Sequence, residues 1–167
     1  AITDRTRALF TETIGNPVLD FSDIAAIADI AHRNGLPLIV DGTFTTPYLL
    51  RAIEHGADIV VNSLTKWLGG HGAAIGGIVT DSGNFDWGAH ERHRLFIEPD
   101  SNYHGLVWAK DLPEPLAPTA FALRLRTVPL RNLGACISPD NAWMFLQGIE
   151  TLHLRMPRHC ENALQVA

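Results

Sequence analysis

Two apolar runs of the same form constrain the fold of this chain more than any other feature. LPLIVD (36–41) and ADIVVNS (57–63) each consist mainly of aliphatic residues and end in polar ones. A helical pattern over 21–35 precedes the first run, and a second helical segment, 47–56, separates the two. Such runs are typical of strands buried on both faces of a parallel sheet. The alternation therefore predicts an α/β fold with a mainly parallel sheet and flanking helices.

Further strands extend this pattern on both sides. Residues 8–12 predict a strand before the first helix, and GIVTD (77–81) predicts one after a glycine-rich turn at 64–77. The following segment, 82–117, has weak periodicity, and we expect an irregular excursion with one helix near 102–110. Long ordered loops of this kind are often functional.

Helical patterns dominate the C-terminal part of the chain. Residues 118–135 form one pattern and 138–156 another, with Ser138 as a candidate N-cap. Pro157 is expected to bend or restart the last helix, which continues to the end. The chain starts with Ala1 and stops inside a helical pattern, without the Gly or Pro that usually closes a helix. We therefore expect the 167 residues to be a fragment of a longer protein.

Composition and charge exclude several classes of protein. The 13 Lys+Arg and 18 Asp+Glu residues give a net charge of −5, which argues against nucleic acid as a partner. Hydrophobic residues make up 46% of the chain, enough for a core. No apolar run approaches the ~20 residues of a membrane span, and no signal peptide precedes the first strand. The two cysteines, Cys136 and Cys160, predict a reducing compartment, the cytoplasm, and are interpreted as packing residues.

Reactive side chains follow both buried strands, at the edge of the sheet where α/β proteins bind ligands. Asp41 ends the first run, and Ser63, Thr65 and Lys66 follow the second. A lysine amine can form a Schiff base with a carbonyl group, and an acid can pair with a protonated ring nitrogen. Hydroxyls with nearby backbone N–H groups can hold a phosphate. Pyridoxal phosphate (PLP) requires these three chemistries together, so the sequence predicts this cofactor.

Each of these residues also has a purely structural interpretation. A strand-end acid such as Asp41 is often a turn or N-cap residue, and a lysine near a glycine-rich turn, such as Lys66, is usually solvated. Ser63 and Thr65 are also suited to capping a helix. The functional interpretation depends on their occurring together on successive strands.

Two other motifs do not indicate a ligand site. The glycine-rich segment 69–77 lacks the G-x-G-x-x-G register between a strand and a long helix, so it does not indicate a dinucleotide site. His90, Glu91 and His93 do not have the spacing of a zinc motif, and we predict no metal there.

Four segments resemble the Cys/Met-metabolism family of PLP enzymes: ETIGNP (12–17), VDGTFTTPYL (40–49), NSLTKWLGGHG (62–72) and the helical segment 138–163. The resemblance spans nearly all of the chain, and the Ser-x-Thr-Lys motif with its upstream Asp is highly specific for the family. It implies that residues 1–135 are part of the large, PLP-binding domain of a fold-type I enzyme. Residues 136–167 are then helices leading toward a C-terminal domain.

The resemblance also implies a role for individual residues. Lys66 matches the lysine that binds the cofactor covalently and later moves protons on the substrate. Asp41 matches the acid that faces the pyridine nitrogen. Four further residues match positions that contact the cofactor or the substrate. Ser63 and Thr65 match the phosphate contacts, and Asn16 matches an asparagine near the 3-oxygen and the substrate carboxylate. Thr43 is expected to pack against the ring.

The chain departs from the family at Gly42, where the family usually has Asn. A glycine is expected to loosen the segment that positions Asp41, with a modest effect. Other family features have no counterpart in this sequence: an upstream phosphate-binding loop and ring-stacking Tyr, a Tyr and an Arg from a neighbouring subunit, and a C-terminal arginine for the substrate carboxylate. Their absence supports the expectation of a fragment.

One subgroup of the family is the most similar, through FDW (85–87), SNYHGLVW (101–108) and RNLGACISPDNA (131–142). Its members replace the acetate of O-acetyl-L-homoserine with sulfide or methanethiol, which gives homocysteine or methionine. Cystathionine γ-synthase or γ-lyase activity is the alternative within the family, and a non-catalytic remnant or interaction module is the alternative outside it. Family members are typically tetramers, so the resemblance also implies a homo-oligomer.

Overall fold

The computed structural model describes residues 1–167 and has one four-stranded sheet, in the order β1-β2-β3-β4. The strands are β1 (Leu9–Glu12), β2 (Leu38–Asp41), β3 (Ile59–Ser63) and β4 (Gly77–Asp81). The first three are parallel, whereas β4 pairs antiparallel with β3. The predicted α/β fold with a mainly parallel sheet is confirmed.

The register of the sheet brings its carboxyl edge into line. Glu12 lies opposite Asp41, and Asp41 lies opposite Val61, so the three parallel strands end at nearly the same level. After Ser63 the chain passes directly into one π-helical turn, Leu64–Leu68, which we call the Lys66 turn. The residues that follow β1, β2 and β3 are therefore neighbours in space.

Seven α-helices surround or follow the sheet: α1 (Ile24–Arg33), α2 (Thr46–Leu49), α3 (Arg94–Ile97), α4 (Ala120–Leu125), α5 (Arg131–Leu133), α6 (Pro139–Glu150) and α7 (Leu152–Val166). Short 3-10 segments lie at Ala52–His55 and Ala117–Thr119, and a π-helical segment, Arg126–Leu130, joins α4 to α5. Ser138 caps α6 as predicted, because its hydroxyl accepts the Asn141 N–H at 3.2 Å. None of the helices has both the length and the apolar character needed to cross a bilayer.

Three apolar clusters hold these elements together. The first joins α1 to β2, where Leu38 and Val40 have no exposed surface. The second lies beneath the excursion and includes the buried indoles of Trp87 and Trp108. The third, which we call the turn cluster, joins the Lys66 turn to α6 and α7 through Leu64, Leu68, Phe145, Leu152 and Met156.

Two predicted helices differ from the structure. Segment 47–56 is split into two short pieces because Leu50 is extended, with φ −148° and ψ 118°. The helix expected near 102–110 is wrong: that segment forms turns around Asp100, whose carboxylate accepts the Asn102 N–H at 3.0 Å and the Trp108 Nε1–H at 2.9 Å. The one α-helix within the excursion is α3.

The predicted restart of the helix at Pro157 is also wrong. The helix α7 runs through Pro157, and the chain bends at Thr151 instead. Just before the bend, Gly148 packs so closely on the main chain of Gly69 that a Cβ would collide with the Gly69 carbonyl oxygen. The end of α6 therefore contacts the Lys66 turn region, and no local sequence signal reports this contact.

Candidate active site

A cavity of about 680 Å³ opens at the carboxyl edge of the sheet. Its volume is within the range of small-molecule sites. The ends of β1, β2 and β3, the Lys66 turn and α7 all contribute to its wall. That wall includes all six residues predicted from the sequence: Asn16, Asp41, Thr43, Ser63, Thr65 and Lys66.

Asp41, the last residue of β2, presents a half-buried carboxylate to the cavity. Its Oδ1 accepts the Thr43 N–H at 2.8 Å, and its Oδ2 has no hydrogen bond within the chain. The Thr43 hydroxyl in turn accepts the Ser63 N–H at 2.8 Å. Thr43 therefore ties the ends of β2 and β3 together and fixes the carboxylate beside them, while its predicted contact with a ring stays a prediction.

Lys66 lies in the middle of the turn that follows β3, and its side chain is exposed at the cavity. Its backbone, with φ −93° and ψ −126°, departs from the helical values of its neighbours. No carboxylate lies within ion-pair distance of the Lys66 amine. A primary amine in this setting is available to attack a carbonyl group.

The two candidate phosphate contacts differ in their surroundings. The Ser63 hydroxyl makes no hydrogen bond within the chain, so its proton is available to a ligand. The Thr65 hydroxyl accepts the Gly76 N–H at 3.1 Å and lies 3.3 Å from the Gly76 carbonyl oxygen, to which it donates. Thr65 thus fastens the Lys66 turn to the residue before β4. Its contact with a phosphate, like that of Ser63, stays a prediction.

Asn16 and Glu12 complete the polar side of the cavity on β1 and the loop after it. Asn16 is exposed at the cavity wall, as its predicted role near a bound substrate requires. Glu12 was missed by sequence reasoning, although the register places it beside Asp41. Only the pairing of β1 with β2 shows this second carboxylate.

Aromatic and basic side chains also line the cavity. Trp67 packs on His159 with ring centroids 4.8 Å apart and meets Phe44 edge-on at 6.5 Å. Arg155 lies on the same wall, one turn before His159 on α7. Sequence reasoning assigned no role to these residues, because α7 is distant in sequence from the Lys66 turn that it contacts.

Gly42 is held more firmly than expected. Its N–H donates to the Val61 carbonyl at 2.9 Å, and its carbonyl accepts the Thr46 N–H at 2.8 Å. A Cβ at this position would lie 3.0 Å from Nδ2 of Asn62, a buried amide nitrogen that has no partner. The glycine therefore leaves space beside Asn62, while the hydrogen bonds hold the segment that carries Asp41.

The histidines of the excursion lie away from the cavity. His93 is buried against Phe85 and Trp87, and its Nε2–H donates to the Gly35 carbonyl at 3.0 Å. Burial lowers the pKa of His93, and the positive charges of His90 and nearby arginines add to this effect despite the hydrogen bond to Gly35. The chain contains no group of three or more His, Cys, Asp or Glu side chains in a metal-binding arrangement.

The donor set of the cavity fits PLP. The exposed amine of Lys66 suits the cofactor's aldehyde, and the free carboxylate oxygen of Asp41 suits its pyridine nitrogen. The unpaired hydroxyl of Ser63, in the same cavity, suits its phosphate. The free Oδ2 of Asp41 and the free Ser63 hydroxyl are the observations that carry this fit, since each leaves a polar atom facing the cavity for a ligand.

Comparison with known sequences gives a consistent result. The family model described as Cys/Met metabolism PLP-dependent enzyme matches residues 1–167. An O-acetyl-L-homoserine sulfhydrylase of Leptospira meyeri is 53% identical over 171 residues, covering 100% of this chain and 38% of the relative. A homocysteine synthase of Schizosaccharomyces pombe is 46% identical, with coverage of 99% and 38%. The chain thus spans less than half the length of these relatives.

Comparison with solved structures points the same way. A Campylobacter jejuni protein described as an O-acetylhomoserine (thiol)-lyase, with a pyridoxyl-lysine monophosphate, superposes with a TM-score of 0.89 at 37% identity. That match covers 99% of this chain and 40% of the other. A cystathionine γ-lyase of Lactobacillus plantarum, complexed with L-serine, has a TM-score of 0.71 at 32% identity, with coverage of 99% and 34%.

Proposed function

Because this chain belongs to the Cys/Met metabolism family of PLP-dependent enzymes, we propose that it forms the cofactor-binding part of an O-acetyl-L-homoserine sulfhydrylase. The proposed reaction replaces the acetate of O-acetyl-L-homoserine with sulfide or methanethiol and yields homocysteine or methionine. The relatives named sulfhydrylase and homocysteine synthase, at 46–53% identity, support this assignment.

One observation carries the proposal: a single cavity gathers Asp41, Ser63 and Lys66 from two adjacent strand ends. When bound, PLP supplies an electron sink that stabilises negative charge at the carbon atoms next to the substrate's amino group. Lys66 would hold the cofactor covalently through its Nζ. The Lys66 amine would also take the proton from the substrate's α-carbon and then help to move one from its β-carbon.

The remaining residues bind and orient. Asp41, held at Oδ1 by Thr43, uses Oδ2 to keep the pyridine nitrogen protonated. Ser63 donates its hydroxyl proton to the phosphate, with Thr65 as a second contact if its bond to Gly76 is given up. Asn16, on the cavity wall, contacts the 3-oxygen and the substrate carboxylate in this proposal.

The proposal extends to the assembled protein. Residues 1–135 belong to its large domain, and residues 136–167 lead toward a second domain that binds the substrate carboxylate. The assembly is a homotetramer in the cytoplasm, a compartment in which Cys136 and Cys160 remain reduced. Both cysteines are free and exposed, so their interpretation as packing residues is wrong.

The activity is tested by offering the intact protein O-acetyl-L-homoserine with either sulfide or cysteine, in the presence of PLP. We expect homocysteine from sulfide at a rate well above that of cystathionine from cysteine. Lys66→Ala should abolish product formation, because no other side chain can replace its amine. Preferential formation of cystathionine, or cleavage of cystathionine, would instead support the γ-synthase or γ-lyase alternative, which the similarity to the L. plantarum enzyme motivates.

A further inference from the structure

The Lys66 turn needs hydrogen-bond donors that it cannot supply itself. The carbonyl of Leu64 accepts from Gly69 at 2.9 Å, and that of Lys66 accepts from Gly70 at 2.8 Å. The carbonyls of Trp67 and Leu68 come next, and at the end of a helical turn such groups have no partner within the turn. Both lie directly after Lys66, so whatever binds them also fixes the backbone from which the reactive amine extends.

Arg155 of α7 supplies these donors. Its Nη1 donates to the Trp67 carbonyl at 2.8 Å, and its Nη2 lies 3.4 Å from the Leu68 carbonyl. Nη2 also donates to the Gly148 carbonyl at 2.7 Å, and Nε donates to the Thr151 hydroxyl at 3.0 Å. One guanidinium therefore bridges the end of the Lys66 turn and the α6–α7 bend.

These bonds leave Arg155 little capacity to bind a ligand. A guanidinium has five N–H donors, and four of them face Thr151, Trp67, Leu68 and Gly148. Arg155 forms no ion pair with a carboxylate of the chain. Although Arg155 lines the cavity, three of these donors are directed at main-chain carbonyls and the fourth at the Thr151 hydroxyl.

The Arg155 guanidinium also packs closely against Gly70. A Cβ at Gly70, where φ is +74°, would lie 2.7 Å from the Arg155 Cζ. A second contact reinforces the first, since His159 packs on the Trp67 ring one helical turn further along α7. The turn is thus held by α7 both at its backbone and at its side chain.

We propose that Arg155 is a positioning residue, which fixes the Lys66 turn from α7 and so sets the place of the Lys66 amine. The inference rests on the proposed function, because only a turn that carries a reacting lysine requires such control. It predicts that loss of the guanidinium impairs the covalent reaction of Lys66 with PLP while the sheet stays folded.

The test compares Arg155→Met with wild type and with Arg158→Met. Arg158 is exposed on the same helix and pairs only with Glu161, at 3.4 Å, so it is a matched control. Two readouts are measured: the rate at which PLP becomes fixed to Lys66 on borohydride reduction, and amide hydrogen exchange over residues 64–72. We expect Arg155→Met to slow the labelling and speed the exchange by about tenfold or more, because it removes charge-assisted hydrogen bonds. Arg158→Met should change neither.

Arg155→Lys is the second variant, in case Arg155→Met does not fold. It keeps the charge but loses the planar fork, so it should restore only part of the labelling rate and of the exchange protection. Wild-type labelling and exchange in a folded Arg155 variant would overturn the inference. A wild-type protein that never labels at Lys66 would instead defeat the proposed function, and the exchange readout would still judge the role of Arg155.

Discussion

Thr43 is the residue on which the geometry of the carboxylate depends. It offers its N–H to Asp41 Oδ1 and its hydroxyl oxygen to the Ser63 N–H, each at 2.8 Å. The first bond orients the acid, and the second joins the strand that carries the acid to the strand that leads to Lys66. A single side chain thus couples two elements of the candidate site.

Replacing Thr43 with Val should therefore weaken both the fold and the site. The valine has nearly the same shape but leaves the half-buried Ser63 N–H without an acceptor, which costs about 1–2 kcal/mol. We expect that loss in the free energy of unfolding from urea titration, together with weaker PLP binding. Thr43→Ser keeps the hydroxyl and is the control. A loss in Thr43→Ser with none in Thr43→Val would show that the methyl group, and not the hydrogen bond, matters.

The sequence predicts that Asp41, Ser63 and Lys66 meet at one edge of the sheet, because each lies within three residues of a strand that its own apolar run reveals. It does not predict Arg155 or His159. Arg155 reaches the Trp67 carbonyl across 88 residues, and nothing near it in sequence marks that contact. A residue's role in a site is therefore predictable when a local element positions it, and hidden when tertiary packing does.

At the scale of elements, the four strands and the α6 cap follow from local patterns, whereas the breaks between helices do not. Pro157 occupies the sixth position of α7. It removes a single hydrogen-bond donor there, which the helix tolerates. The bend forms at Thr151, just after Gly148, which packs on the main chain of Gly69. Similarly, the turns at 102–110 follow from hydrogen bonds converging on the buried Asp100, which outweigh weak helical propensity.

The excursion is attached to the end of α1 through His93, and this attachment should depend on pH. In the folded chain the pKa of His93 lies below its ordinary value of 6.5, mainly because the ring is buried. Between the two pKa values the unfolded chain binds a proton that the native chain does not. The free energy of unfolding should therefore fall as the pH is lowered through about 6.5 and below.

The measurement is urea unfolding of wild type and His93→Gln at several pH values. These run from about pH 5 to about pH 7.5, on either side of the ordinary pKa of a histidine. The variant should lose less stability than wild type on acidification. His153→Gln, at an exposed position of α7, is the control and should follow wild type. Parallel curves for wild type and His93→Gln would refute the assignment of the effect to His93.

At the scale of the whole molecule, the candidate site lies where separately packed parts of the chain meet. The cluster between α1 and β2 supports Asp41, and the turn cluster supports the Lys66 turn from beneath. The cavity wall combines residues between Glu12 and Gly72 with Arg155 and His159, so two distant parts of the chain meet at it. This arrangement is that of fold-type I PLP enzymes, the fold of the solved relatives.

The central claim is that this chain holds PLP through Lys66. The 167 residues contain only two lysines, Lys66 and Lys110, so the labelled residue can be identified directly. The protein is incubated with PLP, reduced with borohydride, digested and analysed by mass spectrometry. Lys110→Arg should retain full labelling, and Lys66→Arg should lose it. The account predicts a pyridoxyl group on the peptide containing Lys66; equal labelling of both lysines, or labelling of Lys110 alone, would contradict it.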